Sequence, residues 1–169
     1  GVDRSTVWKV GPDGNSLSTH SFAKPGIKPP PEVISNLVPV WEAMVQHGET
    51  FEISDVDELP ESQLREKEYC KVQGGIKSIM FLPASVGGVV VGFITFVSYS
   101  AKRAWPEELI NRLRLLWDIF TNALERKRAD QKIQKALEEI EMLKDRLEAE
   151  NLYLRDQIDT EFKHEEIIG

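Results

Sequence analysis

A long segment without proline or glycine near the C-terminal end most constrains how this chain can fold. Neither residue occurs from Arg126 to Ile168, and the segment consists mainly of Glu, Lys and Arg with regularly spaced Leu and Ile. Because proline and glycine are the strongest helix breakers, the segment predicts one continuous helix. Between Arg126 and Glu161 that helix would extend about 54 Å, at about 1.5 Å per residue.

The apolar residues of this segment follow a seven-residue repeat. When Leu137 is placed at heptad position a, four successive d positions are apolar, namely Ile133, Ile140, Leu147 and Leu154. The a positions that follow Leu137 are Lys144, Asn151 and Ile158. Polar residues at a lower the stability of a coiled coil but disfavour larger oligomers and slipped registers. The repeat therefore predicts a parallel homodimer in which Asn151 sets the register; the alternative is that Asn151 is an ordinary polar residue on a solvated helix.

The first 125 residues have the alternating strand and helix signals of a separate domain. Segments rich in β-branched and aromatic residues predict strands at residues 4–10, 16–22, 50–56, 76–82 and 89–99. The short link between the last two contains Gly87 and Gly88, which predicts an antiparallel hairpin, and their continuous hydrophobicity predicts burial on both faces. Proline and glycine positions predict helices at residues 39–47, between Pro60 and Gly74, and from Trp105 onward.

The helix that begins near Trp105 has apolar residues at helical spacing. These residues are Leu109, Leu113, Leu116, Phe120 and Leu124. Such a stripe must lie either on the sheet or on a partner helix.

Composition excludes several classes of function. The formal net charge of −7 disfavours direct binding to nucleic acid, and we interpret the basic cluster at residues 126–128 as a solvated helix face. A single cysteine excludes an internal disulfide and a cysteine-based zinc cluster. The longest apolar run, residues 87–97, is too short to span a bilayer, and the chain opens on polar residues rather than a signal peptide. We therefore expect a cytoplasmic protein without a membrane segment.

Three segments of the first part resemble GAF domains. The resemblance rests on Gly74 to Ser78 running into Phe81-Leu82-Pro83 and then Gly87 to Gly92, on residues 3–8 as the first strand, and on residues 103–108 as the entry to the last helix. It covers roughly residues 2–128 and implies an α+β fold, with an antiparallel sheet flanked by helices and a long coiled-coil helix after it. GAF domains usually begin with a helix beside the last one, whereas this chain opens directly on the first strand.

The C-terminal segment resembles a linker in a particular class of bacterial regulator. Residues 143–155, followed by Phe162 to Gly169, are similar to the sequence just before the AAA+ ATPase domain of sigma-54-dependent transcription activators of the formate hydrogenlyase activator group. This implies a GAF-like sensory domain at 1–125, a coiled-coil linker at 126–161, and the start of an absent ATPase domain at 162–169. No phosphate-binding loop motif occurs, so we expect no ATP binding by this chain.

The resemblance implies a small-molecule pocket beside the sheet, under the helices and loops between Trp41 and Gly75. Candidate lining residues are Trp41, Phe51, Ser54, Tyr69, Ser78 and Thr95. The alternative is that these are ordinary core and rim residues around a closed pocket. The expected function is a sensor that binds an unknown effector and signals through the dimer to the ATPase domain. The alternatives are a ligand-free structural dimerisation module and the GAF part of a sensor histidine kinase.

No residue set predicts catalysis, a metal or a cofactor. Cys70 suggests either a redox sensor, if Lys67 and Lys71 lie near enough to lower the thiol pKa, or a structural cysteine. His20, His47 and His164 are scattered without ligand spacing, and we expect His47 to cap the helix that ends before Gly48. His164 as a phosphoaccepting histidine is the weaker alternative. We predict that the chain is not an enzyme.

Overall fold

The computed structural model describes the backbone of residues 2–167 and the side chains of residues 2–158. The chain divides into two compact units between Ala123 and Leu124. The predicted ATPase entry at residues 162–169 lies outside the described side chains, as do residues 159–161 at the end of the predicted linker.

The first unit is built on a five-stranded antiparallel sheet. Its strands are β1 (Arg4–Val10), β2 (Ser16–Ala23), β3 (Phe51–Ile53), β4 (Ser78–Val86) and β5 (Val89–Ser98), in the order β2-β1-β5-β4-β3. All five predicted strands are present, and β3 is shorter than expected. A 3₁₀ turn at Val56–Glu58 follows it, because the Asp55 carboxylate accepts the Asp57 N–H at 2.9 Å and turns the chain.

The β4–β5 hairpin is tighter than the sequence predicted. Strand β4 continues through Pro83 to Val86, and only Gly87 and Gly88 form the turn, with φ of 60° and 81°. Two positive φ angles are what a two-residue type I′ turn requires, which explains the glycine pair. Pro83 is tolerated because β3 pairs with β4 only as far as Phe81, so no neighbour needs its missing N–H on that side.

Three α-helices complete the described chain: α1 (Pro39–Gln46), α2 (Leu64–Val72) and α3 (Glu107–Ile167). Pro39 occupies the first turn of α1, and the predicted cap is present, since His47 Nδ1 lies 2.7 Å from the Ala43 carbonyl oxygen and Gly48 has φ of 76°. Where one helix was expected after Pro60, a 3₁₀ turn at Glu61–Gln63 precedes α2.

The sheet has a hydrophobic core on each face. Helices α1 and α2 cover the first face, where Trp8, Trp41, Phe81 and Phe93 are buried. The beginning of α3 covers the second face, where Trp105 and Trp117 pack against alternate residues of β4, namely Met80, Leu82 and Ala84. Because successive strand residues point to opposite faces, the continuous apolar sequence of β4 fills both cores.

The apolar stripe on α3 is only partly on the sheet. Leu109 and Leu113 pack against the second core, but the exposed fractions of Leu116 and Phe120 are 63% and 51%. Trp117 and Thr121 are the buried residues in those turns. The residues that face the core recur every four positions from Leu109, at Leu113, Trp117 and Thr121. Leu116 and Phe120 each come one residue before a buried position, and one residue corresponds to a rotation of about 100° around the helix. Of the two expected locations for the stripe, the sheet is therefore wrong for Leu116 and Phe120.

The second unit consists of the helix from Leu124 onward, as predicted from the absence of proline and glycine. Its described heptad residues are exposed, and the a and d side chains Ile133, Leu137, Ile140, Leu147, Leu154 and Ile158 have exposed fractions between 50% and 65%. No helix in the described part of the chain combines the length and apolar character needed to cross a bilayer.

Candidate functional site

Three of the expected pocket residues meet on the first face of the sheet, around Phe81. The Trp41 ring of α1 lies 5.3 Å from the Phe81 ring, and the Phe51 ring of β3 stacks on it at 4.5 Å. Tyr69 of α2 belongs to the same buried core. The Trp41 indole N–H donates to Gln63 Oε1 at 2.9 Å, which fixes the indole beneath the segment that precedes α2.

Thr95 joins this group from the centre of the sheet. Its side chain is 2% exposed, and its hydroxyl oxygen accepts the Trp8 indole N–H at 3.1 Å. The Trp8 ring stacks on Phe93 at 5.8 Å. The aromatic rings therefore contact one another within one buried core.

The two expected serines lie elsewhere. Ser54 is half-buried beyond the end of β3, where its carbonyl accepts the Arg103 N–H at 3.2 Å. Ser78 is fully buried, but strand alternation puts it on the second face with Met80, because its neighbour Ile79 belongs to the first core. Ser78 therefore does not line the region beneath α1 and α2.

Sequence reasoning missed a buried charged group on the same face. Arg4 is 1% exposed, and its Nη1 donates to the Lys28 carbonyl at 2.8 Å and to Gln73 Oε1 at 3.4 Å. Its guanidinium carbon lies 5.5 Å from the centre of the Tyr99 ring. A signal was present, because Arg4, Thr6 and Trp8 alternate along β1 and so share one face; the large apolar Trp8 marks that face as the buried one.

The first unit also has an open polar cleft of about 580 Å³, beside the last residues of β4. It is lined by residues that follow α1, by the end of β4 and by one face of α3: Gly48, Thr50, Pro83, Ser85, Arg114, Asp118 and Asn122. Its volume is within the range of ligand sites, about 300–1,000 Å³, but ligand pockets are mostly apolar and this one is mostly polar. No sequence signal indicated it, because the contributing segments are far apart in the chain.

No family model and no curated protein matches this chain. Solved structures do match its fold. GAF3 from Slr1393 of Synechocystis in its photoproduct state is 17% identical with a TM-score of 0.66, over 79% of this chain and 88% of that one. The chain has a GAF fold.

Two further matches support the same architecture. A domain of a protein described as a two-component sensor histidine kinase from Sinorhizobium meliloti is 16% identical, with a TM-score of 0.56 over 79% of this chain and 85% of that one. The GAF domain region of a Geobacter sulfurreducens protein is 19% identical, with a TM-score of 0.55 over 73% and 82%. The expected GAF-like α+β fold is therefore confirmed.

Within the GAF fold, the surroundings of Cys70 match a buried structural thiol. Burial, reinforced by the nearby Glu66 carboxylate, raises the pKa of Cys70 to about 12. Neither lysine acts on it, since Lys67 Nζ donates to the Asp57 carbonyl at 2.7 Å and Lys71 lies 3.9 Å from Glu68. Lowering of the thiol pKa by these lysines is therefore wrong, and a protonated, buried sulfur is a poor nucleophile.

The first unit, which ends at Ala123, is called the GAF unit from here on because of its fold. The described residues of the GAF unit and of the following helix contain no cluster of His, Cys, Asp and Glu that could hold a metal. His20 lies on β2 and His47 at the end of α1, and the side chain of His164 is outside the described residues.

The second candidate surface is the heptad face of the helix after the GAF unit. Asn151 and Lys144 are exposed on it, and the Lys144 ammonium lies 3.7 Å from Glu148 one turn later. Leu143, at the flanking g position, is 53% exposed and widens the apolar face. Leu143 lies outside the a and d positions that define the predicted seam.

Proposed function

We propose that this chain is a sensory module, in which the GAF unit binds a small effector and two copies of the helix after it pair as a parallel coiled coil. In the intact protein the pair leads to the AAA+ ATPase domain of a sigma-54-dependent transcription activator in the cytoplasm. The observation that most strongly supports this is the exposed heptad face of a helix with no break between Glu107 and Ile167.

Burial of that face favours pairing. The d residues Ile133, Ile140, Leu147 and Leu154 are at least half exposed in the single chain. Each Leu or Ile that moves from water into an apolar contact contributes about 1.5–3 kcal/mol. Pairing through a heptad seam would bury these side chains from both copies, and the period of seven predicts a left-handed supercoil.

The polar residues of the repeat favour a parallel pair in register. In that arrangement Asn151 faces Asn151 of the partner subunit, where each amide can donate to and accept from the other. Glu150 at g then lies opposite Arg155 of the partner subunit at e, an attractive pair of charges. Lys144 at a opposes its own copy, and Glu148 on the same helix partly offsets that repulsion.

Signalling requires that the effector bind two states of the dimer with different affinity. Such couplings are typically about 1–3 kcal/mol, which corresponds to about 5–150-fold in affinity. Because α3 begins on the sheet of the GAF unit and continues into the heptad segment, a change in the sheet could alter the relation of the paired helices. The similarity of the C-terminal segment to activator linkers supports the ATPase domain as the receiver.

Two alternative functions each have a supporting observation. The direct contacts between the buried aromatic rings around Phe81 favour a GAF unit that only dimerises and binds no effector. The fold match to a domain of a protein described as a sensor histidine kinase favours a kinase rather than an ATPase as the next domain. Native mass spectrometry of the purified protein distinguishes the sensor from the ligand-free dimerisation module, because a co-purified small molecule is expected only for the sensor.

The coiled coil is tested by replacing two apolar residues of the seam. We expect Leu147→Asn combined with Leu154→Asn to convert a dimer to a monomer in sedimentation velocity, because it places polar groups at adjacent d positions. The matched control is Met142→Asn combined with Leu152→Asn. Met142 at f and Leu152 at b are 70% and 67% exposed and lie outside the seam. The control should remain a dimer; a dimer in both variants, or a monomeric unsubstituted chain, would exclude the coiled coil.

A further inference from the structure

We propose that a second copy of this chain covers an exposed apolar face of α3 within the GAF unit, so that the dimer interface extends onto that unit. We call this face the α3 patch. It consists of Leu115, Leu116, Ile119, Phe120 and Ala123, all of which are exposed. The inference goes beyond the proposed function, in which only the helix after the GAF unit pairs, and it takes the parallel arrangement from that function.

The first observation is that the α3 patch is contiguous and apolar. Leu115 and Leu116 are each 63% exposed, and Ile119 is 60% exposed one turn later. Phe120 is 51% exposed beside them. Exposed apolar side chains that occur singly need no explanation, whereas several on consecutive turns of one helix mark a surface that binds another molecule. The α3 patch therefore has the character of an interface.

The second observation is that the α3 patch has the same heptad register as the predicted seam. When the register of the seam is counted back in sevens, Leu116 and Ala123 fall at a and Ile119 falls at d. Leu115 falls at g and Phe120 at e, the positions that flank a seam. In a parallel pair Leu115 then lies opposite Phe120 of the partner subunit. Because the register was set on residues from Ile133 onward, its agreement with the exposed residues of the GAF unit is an independent observation.

The residues of α3 that face the sheet occupy other heptad positions. These residues are Ile110 and Trp117 at b, Leu113 at e and Thr121 at f. At about 100° per residue, the centre of the α3 patch lies roughly 130° around the helix from the centre of this set. One helix can therefore pack on its own sheet and on a second helix at the same time. The agreement ends before Leu115, because Arg112 occupies the preceding d position.

The third observation is that the two charged residues between the α3 patch and the apolar part of the seam are complementary between copies. Arg126 falls at d and Asp130 at the next a. In a parallel pair in register, a d side chain packs beside the following a side chain of the other helix, so Arg126 meets Asp130 of the partner subunit. Neither has an ion-pair partner among the side chains that the structure describes, whereas the neighbouring Arg128 pairs with Glu125. This charge complementarity favours a second copy as the molecule that covers the α3 patch.

Disulfide formation between copies of the full chain tests the proposal directly. Ile119→Cys places a thiol at a d position of the α3 patch, and two d residues of a parallel pair face each other closely enough for a disulfide. With oxidised glutathione we expect a covalent dimer in non-reducing gel electrophoresis. Asp118→Cys is the matched control, because Asp118 is exposed at position c one residue away and should stay monomeric. Ile133→Cys, at d in the helix after the GAF unit, should also form a covalent dimer. The native Cys70 is buried and does not compete.

The affinity of the dimer gives a second measurement. Leu116→Gln combined with Ile119→Gln removes apolar burial from both copies, and we expect the dimer Kd in sedimentation equilibrium to rise by about a hundredfold. Glutamine is a good helix former, so α3 should keep its structure. Leu64→Gln combined with Val72→Gln is the control, because these α2 residues are 64% and 59% exposed, like those of the α3 patch, and lie on another helix. The control should leave the dimer Kd unchanged.

Three results would overturn this inference and leave the proposed function standing. These are a covalent dimer of Ile133→Cys without one of Ile119→Cys, equally fast oxidation of Ile119→Cys and Asp118→Cys, and an unchanged dimer Kd when Leu116 and Ile119 are replaced. Each would mean that the α3 patch is covered by another segment or another protein. Absence of a disulfide in both Ile119→Cys and Ile133→Cys would instead overturn the pairing in the proposed function and this inference with it. The disulfide pattern decides even if the glutamine variant fails to fold.

Discussion

Two neighbouring charged residues at the start of β1 have opposite surroundings. Asp3 is buried just before β1, where it accepts hydrogen bonds from Lys24, from the N–H groups of Tyr99 and Ser100, and from the Ser100 hydroxyl. Arg4 is buried on the first face with neutral partners only. The first of these buried charges therefore has an oppositely charged partner, whereas the hydrogen-bond partners of the second are uncharged.

The Asp3 carboxylate is expected to stabilise the fold at neutral pH. The hydrogen bond from Lys24, together with those from Tyr99 and Ser100, holds the pKa of Asp3 well below its ordinary value. Since the pKa is lower in the folded chain, this contribution is complete above the unfolded pKa of about 3.9 and is lost as the pH falls below it. We expect Asp3→Asn to lower the free energy of unfolding by about 2 kcal/mol at neutral pH.

Urea unfolding at about pH 7 and about pH 3 measures this contribution. The difference between the unsubstituted chain and Asp3→Asn should shrink at the lower pH, because the Asp3 carboxyl is then largely protonated in the unfolded chain and must release that proton on folding. Asp118→Asn is the control, because Asp118 is exposed on α3 and should change stability by less than about 0.5 kcal/mol. A difference that is the same at both pH values would contradict the role of the Asp3 charge.

At the residue scale, the sequence located apolar site residues better than polar ones. Trp41, Phe51 and Tyr69 meet around Phe81 because large apolar side chains must be buried, whichever elements hold them. Ser78 has no such preference, and its face depends on the strand register, which the sequence left open by one residue. Arg4 was overlooked because arginine is usually exposed.

At the scale of elements, helix α1 depends on α2 for its N-terminal cap. Val38, the residue before α1, supplies no side-chain hydrogen bond, and the buried Glu66 of α2 accepts the Val40 N–H instead. A carboxylate at a helix N-terminus satisfies an orphan donor and opposes the positive end of the helix dipole. The two helices over the first face are therefore joined by this one polar contact as well as by apolar packing.

Substitution of Glu66 separates its hydrogen bond from its charge. We expect Glu66→Gln, which keeps an acceptor, to lower the free energy of unfolding by about 0.5–1 kcal/mol. Glu66→Ala should cost about 2–4 kcal/mol, because the Val40 N–H is left unsatisfied and a cavity forms. Glu68→Ala in the exposed face of the same helix is the control and should cost less than about 0.5 kcal/mol in the same urea titration. Equal losses for Gln and Ala at position 66 would exclude the capping role.

A second prediction at the scale of elements concerns which face of α3 packs on the sheet. Trp117 is 8% exposed within the second core, whereas Phe120 is 51% exposed and its ring stacks on that of Trp117 at 5.8 Å. We expect Trp117→Ala to cost about 3–5 kcal/mol and Phe120→Ala about 1 kcal/mol in urea unfolding at low protein concentration. A larger loss for Phe120→Ala would mean that the helix presents a different face to the sheet.

Most elements were predictable because their signals are local. Gly87-Gly88 and the apolar runs beside it predicted the hairpin, and proline and glycine marked the ends of α1. Which face of α3 packs on the sheet was not predictable from the spacing of its apolar residues alone. Both the buried set with Trp117 and the exposed set with Phe120 recur at helical intervals, and only the shape of the sheet surface decides between them.

At the scale of the whole molecule, the GAF unit and the helix after it differ in what stabilises them. The GAF unit has two internal cores, whereas the apolar residues of the second unit are exposed in the single chain. Isolated helices with exposed Leu and Ile are marginal in water, so pairing is the natural source of stability for this one. The sequence predicted the helix and its repeat, while the state of association depends on a second copy.

The central claim is that this helix pairs in parallel and in register, and spin-label distances test it most directly. Lys135 and Ala149 are exposed and both occupy heptad position f, on the outside of the proposed pair. With Lys135→Cys and Ala149→Cys labelled in separate samples, pulsed electron resonance should give one narrow distance of about 20–30 Å at each position. A monomer without spin coupling, or a distance at Lys135 unlike that at Ala149, would contradict the account.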